Sequence, residues 1–356
     1  AAARTVSWDA ANYGSHAEVG VPTPSTEWHF AEGATIGGFE LFYLLSNPSK
    51  TDATVTMTYL RPAPLSPIVR EHVVPARGRV TVWVNQEAPE LADEEMSATL
   101  TSTVPVLAER AMYRHDGARV FASGHAAAGV TAPRTSWFFA EGATGPYFDT
   151  FLLVANPHAV DVPIRVTYLL PNGATRQDEF VVSARSRFNV WVDTRPGLED
   201  TAFSARIDVI GDRTVIAERA MWWPGDGRSW HEGHVSAGTT AAGTAWVVSQ
   251  GEAGGAHAAE TFVLIGNVGA SVATVQVDVV ADDGTKASGT VSVAANSREN
   301  IPVALMFPAM ANKQFAVILT SVGAVPMPII VEGSTYNDSV GERWAAGSSA
   351  LGTRLR

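Results

Sequence analysis

Cysteine is missing from all 356 residues, which excludes disulfide staples, thiolate metal ligands and a cysteine nucleophile. Lysine is almost missing too: Lys50, Lys286 and Lys313 are the whole set, and the formal net charge is −11. With no basic stripe to neutralise a phosphate backbone, nucleic acid and anionic membranes are not expected partners. Charged residues are only 17% of the chain, below the usual quarter, while Gly and Pro number 31 and 20. That balance suits short strands joined by turns better than long charged helices. No apolar run approaches the roughly 18 residues of a spanning helix, and "AAARTVSW" has no basic segment followed by an apolar one, so a soluble chain without membrane insertion is expected.

What is present is repetition. "TEWHFAEGATI" at 26–36, "TSWFFAEGATG" at 135–145 and "TAWVVSQGEAG" at 244–254 share one frame, and Trp28, Trp137 and Trp246 are spaced by 109 residues. The frame continues through an apolar run to Asn47, Asn156 and Asn267. It then enters strictly alternating stretches, "VTMTY", "IRVTY" and "VQVDV", the period-two signal of a half-buried strand. "PNG" at 171–173 and "DDG" at 282–284 are hairpin turns. Helix signals are nearly absent, and "EAPELADEEMS" at 87–97 amounts to a turn or two. The expected fold is all-β: three tandem immunoglobulin-like β-sandwich repeats of about 109 residues, each with roughly seven or eight strands. The boundaries expected are 26–134, 135–243 and 244–356, the last copy degenerate.

A small hairpin-like tail follows each body, "GHAAAG", "GHVSAG" and "GSSALG", and a further copy, "SHAEVG", precedes the first body. The three bodies thus carry four tails, and residues 1–25 overhang. Two origins fit: a repeat cut from a longer array, or a segment that pairs with a neighbouring chain and drives head-to-tail self-association. Short Pro/Ala/Gly/Thr linkers imply neighbouring sandwiches in contact, as in a semi-rigid rod.

Several polar positions invite chemistry. The acid of the opening motif is Glu32, then Glu141, then Gln250, and an amide does not titrate, so general acid/base work is excluded; a turn-amide acceptor is the expected role. The recurring sets are Glu40, Asp149 and Glu260; Arg79, Arg187 and Arg298; and Glu109, Glu218 and Glu332. They suggest acid–arginine pairs closing each sandwich or capping an interface. The asparagines are expected to hold turns. His16, His125 and His234 share a frame but bring no second ligand at zinc spacing, and in "WHEGH" Glu232 and His234 share a strand face that His231 does not, so no metal and no cofactor are expected. Asp282 and Asp283 lack the spacing of a calcium loop. Trp222, Trp223 and Trp230, in "MWWPGDGRSW", are the candidate ligand contact, as stacking platforms for a surface glycan.

The combination W-x-F-A-E-G-x-T, an N-P turn, V-x-V-x-Y and A-E-R-A-M-Y/W resembles a bacterial exported β-sandwich repeat of unknown function, found in tandem on large surface or secreted proteins. The resemblance implies an extracellular or cell-surface setting and an immunoglobulin-like architecture, and carries no activity. The expectation is a non-enzymatic structural or adhesive protein, a spacer, stalk or surface-layer or filament subunit, with a carbohydrate-binding module as the alternative.

Overall fold

The computed structural model describes residues 3–8, 14–117, 120–224, 230–339 and 341–356. The chain is nearly all β, with 61% of residues in strands and 5% in helix, which places it in the all-β class. Alternating burial along Phe39–Ser46, Ala53–Leu60 and Ala273–Ala281 shows the cause: every second side chain enters a core.

The three copies, called units 1 to 3, share one strand topology. In unit 2 one antiparallel sheet runs in the order Ser136–Phe139, Ser204–Val209, Val162–Leu169, Thr175–Val182. The other runs Ser186–Trp191, Asp149–Asn156, Ile216–Trp223, Glu232–Ala237. Trp137, Ile164, Tyr168 and Ile207 of the first sheet meet Leu152, Val154, Val190 and Ala217 of the second in one core. In unit 1 a single strand, Ser97–Arg114, serves both sheets, pairing Ala53–Leu60 with its first half and Phe39–Ser46 with its second. The stretch at 87–97 holds a short 3-10 turn, Pro89–Leu91, as its sequence suggests.

The tails position everything else. Gly14–Val19, Ser123–Ala128, Glu232–Ala237 and Glu342–Leu351 are strands, and each packs on two of the others in the cyclic order 1-2-3-4-1. Three units and the N-terminal overhang are thereby gathered around one centre in a propeller-like arrangement. This corrects the expected rod, because the small residues of the tails let four strands approach closely. It also supplies the overhang with intrachain neighbours: Ala3–Trp8 pairs with Gly14–Val19, which lies between the tails of units 1 and 3.

Candidate functional site at the unit junctions

Consecutive strand residues point to opposite faces. In Ile216–Trp223 all eight residues are buried, because the strand is covered on both sides. Glu218 faces unit 1 and Arg219 faces unit 3, so one Glu-Arg dipeptide serves two junctions.

At the first junction the Arg110 guanidinium donates to Glu218 Oε2 (2.6 Å) and to the Glu32 carbonyl (2.9 Å), and lies 3.2 Å from the Glu32 carboxylate. Glu32 N–H donates to Glu218 Oε2 at 3.0 Å, and His125 Nε2 is 3.2 Å from Glu32. The second junction repeats this arrangement. Arg219 donates to Glu332 Oε2 (2.6 Å) and the Glu141 carbonyl (3.0 Å), with the Glu141 carboxylate at 3.0 Å. Ser334, Tyr336 and Ser349 donate to Glu141 at 2.8, 3.2 and 3.1 Å. The side chains of both Arg–Glu pairs, Arg110–Glu218 and Arg219–Glu332, are 0% exposed.

Burial disfavours ionising Glu141, but His234 and Arg219 outweigh it and hold the carboxyl at about 2. Glu32 is lowered likewise, burial being outweighed by His125 and Arg110. Burial prevails at Glu218 and Glu332, whose carboxyls are raised despite Arg110 and Arg219. The motif glutamates are therefore ion-pair members at an interface, and the expected turn-amide role is corrected.

A third junction joins the overhang to unit 1: Arg4 meets Glu109 at 3.0 Å, and His16 meets the Tyr113 hydroxyl at 3.3 Å. At the fourth, between unit 3 and the overhang, every charged member is replaced. Register places Gly333 where the other units have Arg110 and Arg219, and Ala3 where they have Glu109 and Glu218. Gln250 takes the place of the motif glutamate, is exposed, and bonds Thr5. Two of the departures that make copy three look degenerate, Gln250 and Gly333, thus fall at one seam, while Val268 packs towards unit 2. Losing both charges together leaves none orphaned in the interior.

Among the described residues the recurring Arg187 and Arg298 form no ion pair with an acid. Arg187 donates to the carbonyls of Gly33 (2.7 Å) and Met96 (3.1 Å) in unit 1, and Arg298 to those of Gly142 (2.6 Å) and Phe203 (2.8 Å) in unit 2. Arg79 is exposed and donates to Thr81 on its own strand. Asn47, Asn156 and Asn267 bridge carbonyls across their turns, for example Asn156 to Val160 (2.8 Å) and Val182 (3.0 Å). Glu40, Asp149 and Glu260 accept indole N–H groups from Trp83, Trp191 and Trp344. Trp28, Trp137 and Trp246 are core residues tied to the carbonyls of Val106, Val215 and Ile329.

No protein-family model and no curated protein matches the chain. Solved structures give partial likenesses. Thermotoga maritima 1070 is 16% identical over 31% of this chain and 96% of its own, with a TM-score of 0.28. The Anabaena sensory rhodopsin transducer is 27% identical over 24% and 92%, with a TM-score of 0.21. A tetra-tandem repeat from the extending region of a large adhesion protein is 12% identical over 87% and 68%, with a TM-score of 0.13. At these scores the reading rests on the chain's own geometry.

The expected glycan platform is not open. Trp222 is 3% exposed and packs on Phe39 of unit 1; Trp223 is 3% exposed and donates to the Trp344 carbonyl of unit 3. Trp230 is half-buried and donates to Asp149 at 2.6 Å, while the turn at 225–229 lies outside the described residues. The aromatic pair fills junctions because its strand is covered on both faces. Among the described residues no cluster of three His or acidic side chains is placed to hold a metal. Asp283 pairs with Lys313, and His231 lies 4.0 Å from Glu342.

The centre holds what the sequence reading missed. Glu232 is fully buried where the tails converge, and accepts amide N–H groups from Ser15 (3.4 Å), Gly124 (3.2 Å) and Gly233 (2.9 Å). Gly347 of the fourth tail contributes as well, yet burial still pushes the carboxyl well above its usual range. At the other end of the tails a cavity of about 560 Å³ is lined by Gly20, Gly129, Gly238 and Gly352, one from each, with Glu18 at its wall. Burial raises Glu18 to about 7 although Ala128 and Val19 amides donate to it. Arg4, Arg110 and Arg219 were missed as a set, although "AAR" in the overhang and "AER" in two copies carry the signal.

Proposed function

We propose that this chain is a non-enzymatic structural protein of immunoglobulin-like units, acting at the bacterial cell surface or outside the cell, where its locked units form a stiff scaffold for display or adhesion. The observation that carries this reading is the pair of buried Arg–Glu relays, Arg110 with Glu32 and Glu218, and Arg219 with Glu141 and Glu332. Of the polar residues that recur along the sequence, Glu218, Glu332, Arg187 and Arg298 hold one unit to the next, while the asparagines and Glu40, Asp149 and Glu260 act within their own units. The family resemblance noted in the sequence supports the setting. Burial of Trp222 and Trp223 weighs against the carbohydrate alternative.

Differential scanning calorimetry tests the locking. Coupled units melt in one transition, and Arg110→Ala with Arg219→Ala splits it; three separate transitions in the unmodified chain would replace the scaffold with freely jointed beads. Turnover in a broad hydrolase screen that disappears in Glu141→Gln would replace it with an enzyme.

A further inference from the structure

The junction next to unit 1 is half built. Arg187 and Arg298 are buried in carbonyl pairs of the preceding unit, whereas Arg79, their counterpart on unit 1, is exposed. The Arg110 and Arg219 relays each hold a motif glutamate, 5% and 4% exposed, but Arg4 and Glu109 remain 51% and 27% exposed, and among the described residues no further carboxylate pairs with Arg4. Ile216–Trp223 pairs with a tail on one side and a body strand, Asp149–Asn156, on the other. Ala3–Trp8, in the equivalent place, pairs with its tail alone among the described strands, and its outer residues are exposed. On the far side, Gly251 and Phe315, the unit 3 counterparts of the carbonyl pairs that receive Arg187 and Arg298, line an open cavity of about 690 Å³ with Ala3, Thr5 and Gln250.

We propose that a fourth sandwich body of this same repeat occupies the wedge between unit 3 and unit 1. It adds a strand to the open edge of Ala3–Trp8, lays a motif glutamate on Arg4 and Glu109, and receives Arg79 in its carbonyl pair. The occupant is a segment of the same polypeptide running directly into Ala3–Trp8, since in every unit the body precedes the strand at that position. Unit 3 of a second copy does not fit, because it brings a tail of its own into a place held by Gly14–Val19. An unpaired strand edge beside half-interfaces of known register is the situation that strand addition satisfies.

The test extends the full chain: a duplicate of residues 26–108 is placed directly ahead of Ala3, so that no unpaired glutamate enters the place of Ala3. Occupation of the wedge predicts slowed amide exchange at residues 3–8 and a fall of several degrees in melting temperature on Arg79→Ala, a change that is silent in the unextended chain. Unchanged exchange, or a silent Arg79→Ala in the extended protein, overturns the proposal. The unextended chain gives an independent reading by light scattering and exchange. A monomer whose residues 3–8 exchange much faster than 216–223 supports an open edge. A dimer that protects residues 3–8 overturns the proposal in favour of a second copy, and a monomer that protects them shows the wedge already closed.

Discussion

Arg219 shows how much one side chain can hold. It is fully buried between two carboxylates, and removing one partner from a buried pair leaves an uncompensated charge, at a cost of about 3–5 kcal/mol. Arg219→Ala is therefore expected to lower the stability by about that amount in urea unfolding. Gln250→Ala, at the seam where the charges are absent, is expected to stay within about 0.5 kcal/mol. Acidification acts on the same residues. Burial depresses His234 and His16 to about 4, so both are neutral in the fold while the unfolded chain takes up protons below its value of 6.5. Their contribution is full above pH 6.5 and is lost as pH falls through 4, with a slope approaching about 1.4 kcal/mol per pH unit for each. Glu141, held at about 2, continues the loss from its ordinary 4.5 downward. Glu18, raised to about 7, and Glu232 act in the opposite sense, destabilising the fold as pH rises from 4.5 towards their own values. The histidine term is isolated by difference: His234→Gln should flatten the stability profile between pH 6.5 and 4 by one proton's slope, and an unchanged profile would show that His234 does not titrate there.

The tail strands are ruled by what faces them. Gly233 lies opposite Trp222 in register, and a Cβ at that position would fall 2.2 Å from the indole. Gly124 faces Tyr113 and Gly347 faces Tyr336 in the same way. Gly233→Ala must displace a ring wedged between units, and a loss of about 1–3 kcal/mol is expected by thermal or urea unfolding. The element-level pattern was legible in sequence because strands alternate and turns carry Asn, Pro and Gly. The strands starting at Ser25, Ser136 and Ala245 fall within a residue of where the repeat frame begins. The partners of the polar residues were not legible. The motif alone points to a turn acceptor at Glu141, because sequence distance hides that Arg219 and Ser349 approach it from other strands and another unit. Trp222 and Trp223 looked like open platforms because nothing in a single repeat reveals that both faces of their strand are covered.

For the whole molecule, the overhang decides whether the propeller-like centre stays closed. Gly14–Val19 packs against the tails of units 1 and 3, brings Ser15 N–H to Glu232, and sets His16 on Tyr113. Its ion pair, Arg4 to Glu109, is half exposed, and such pairs contribute only about 0–1 kcal/mol, so Arg4→Ala alone is expected to be mild. Deleting residues 1–19 is a different change. It removes an amide donor from a buried carboxylate and uncovers the flanks of Ser123–Ala128 and Glu342–Leu351, both rich in small buried residues. Open strand flanks of this kind recruit other strands. The truncated chain is expected to melt several degrees lower and to grow with concentration in light scattering, while Arg4→Ala stays monodisperse. Equal stability and size for the truncated and intact chains would show that the three units close on themselves and that the fourth tail only rides on their surface.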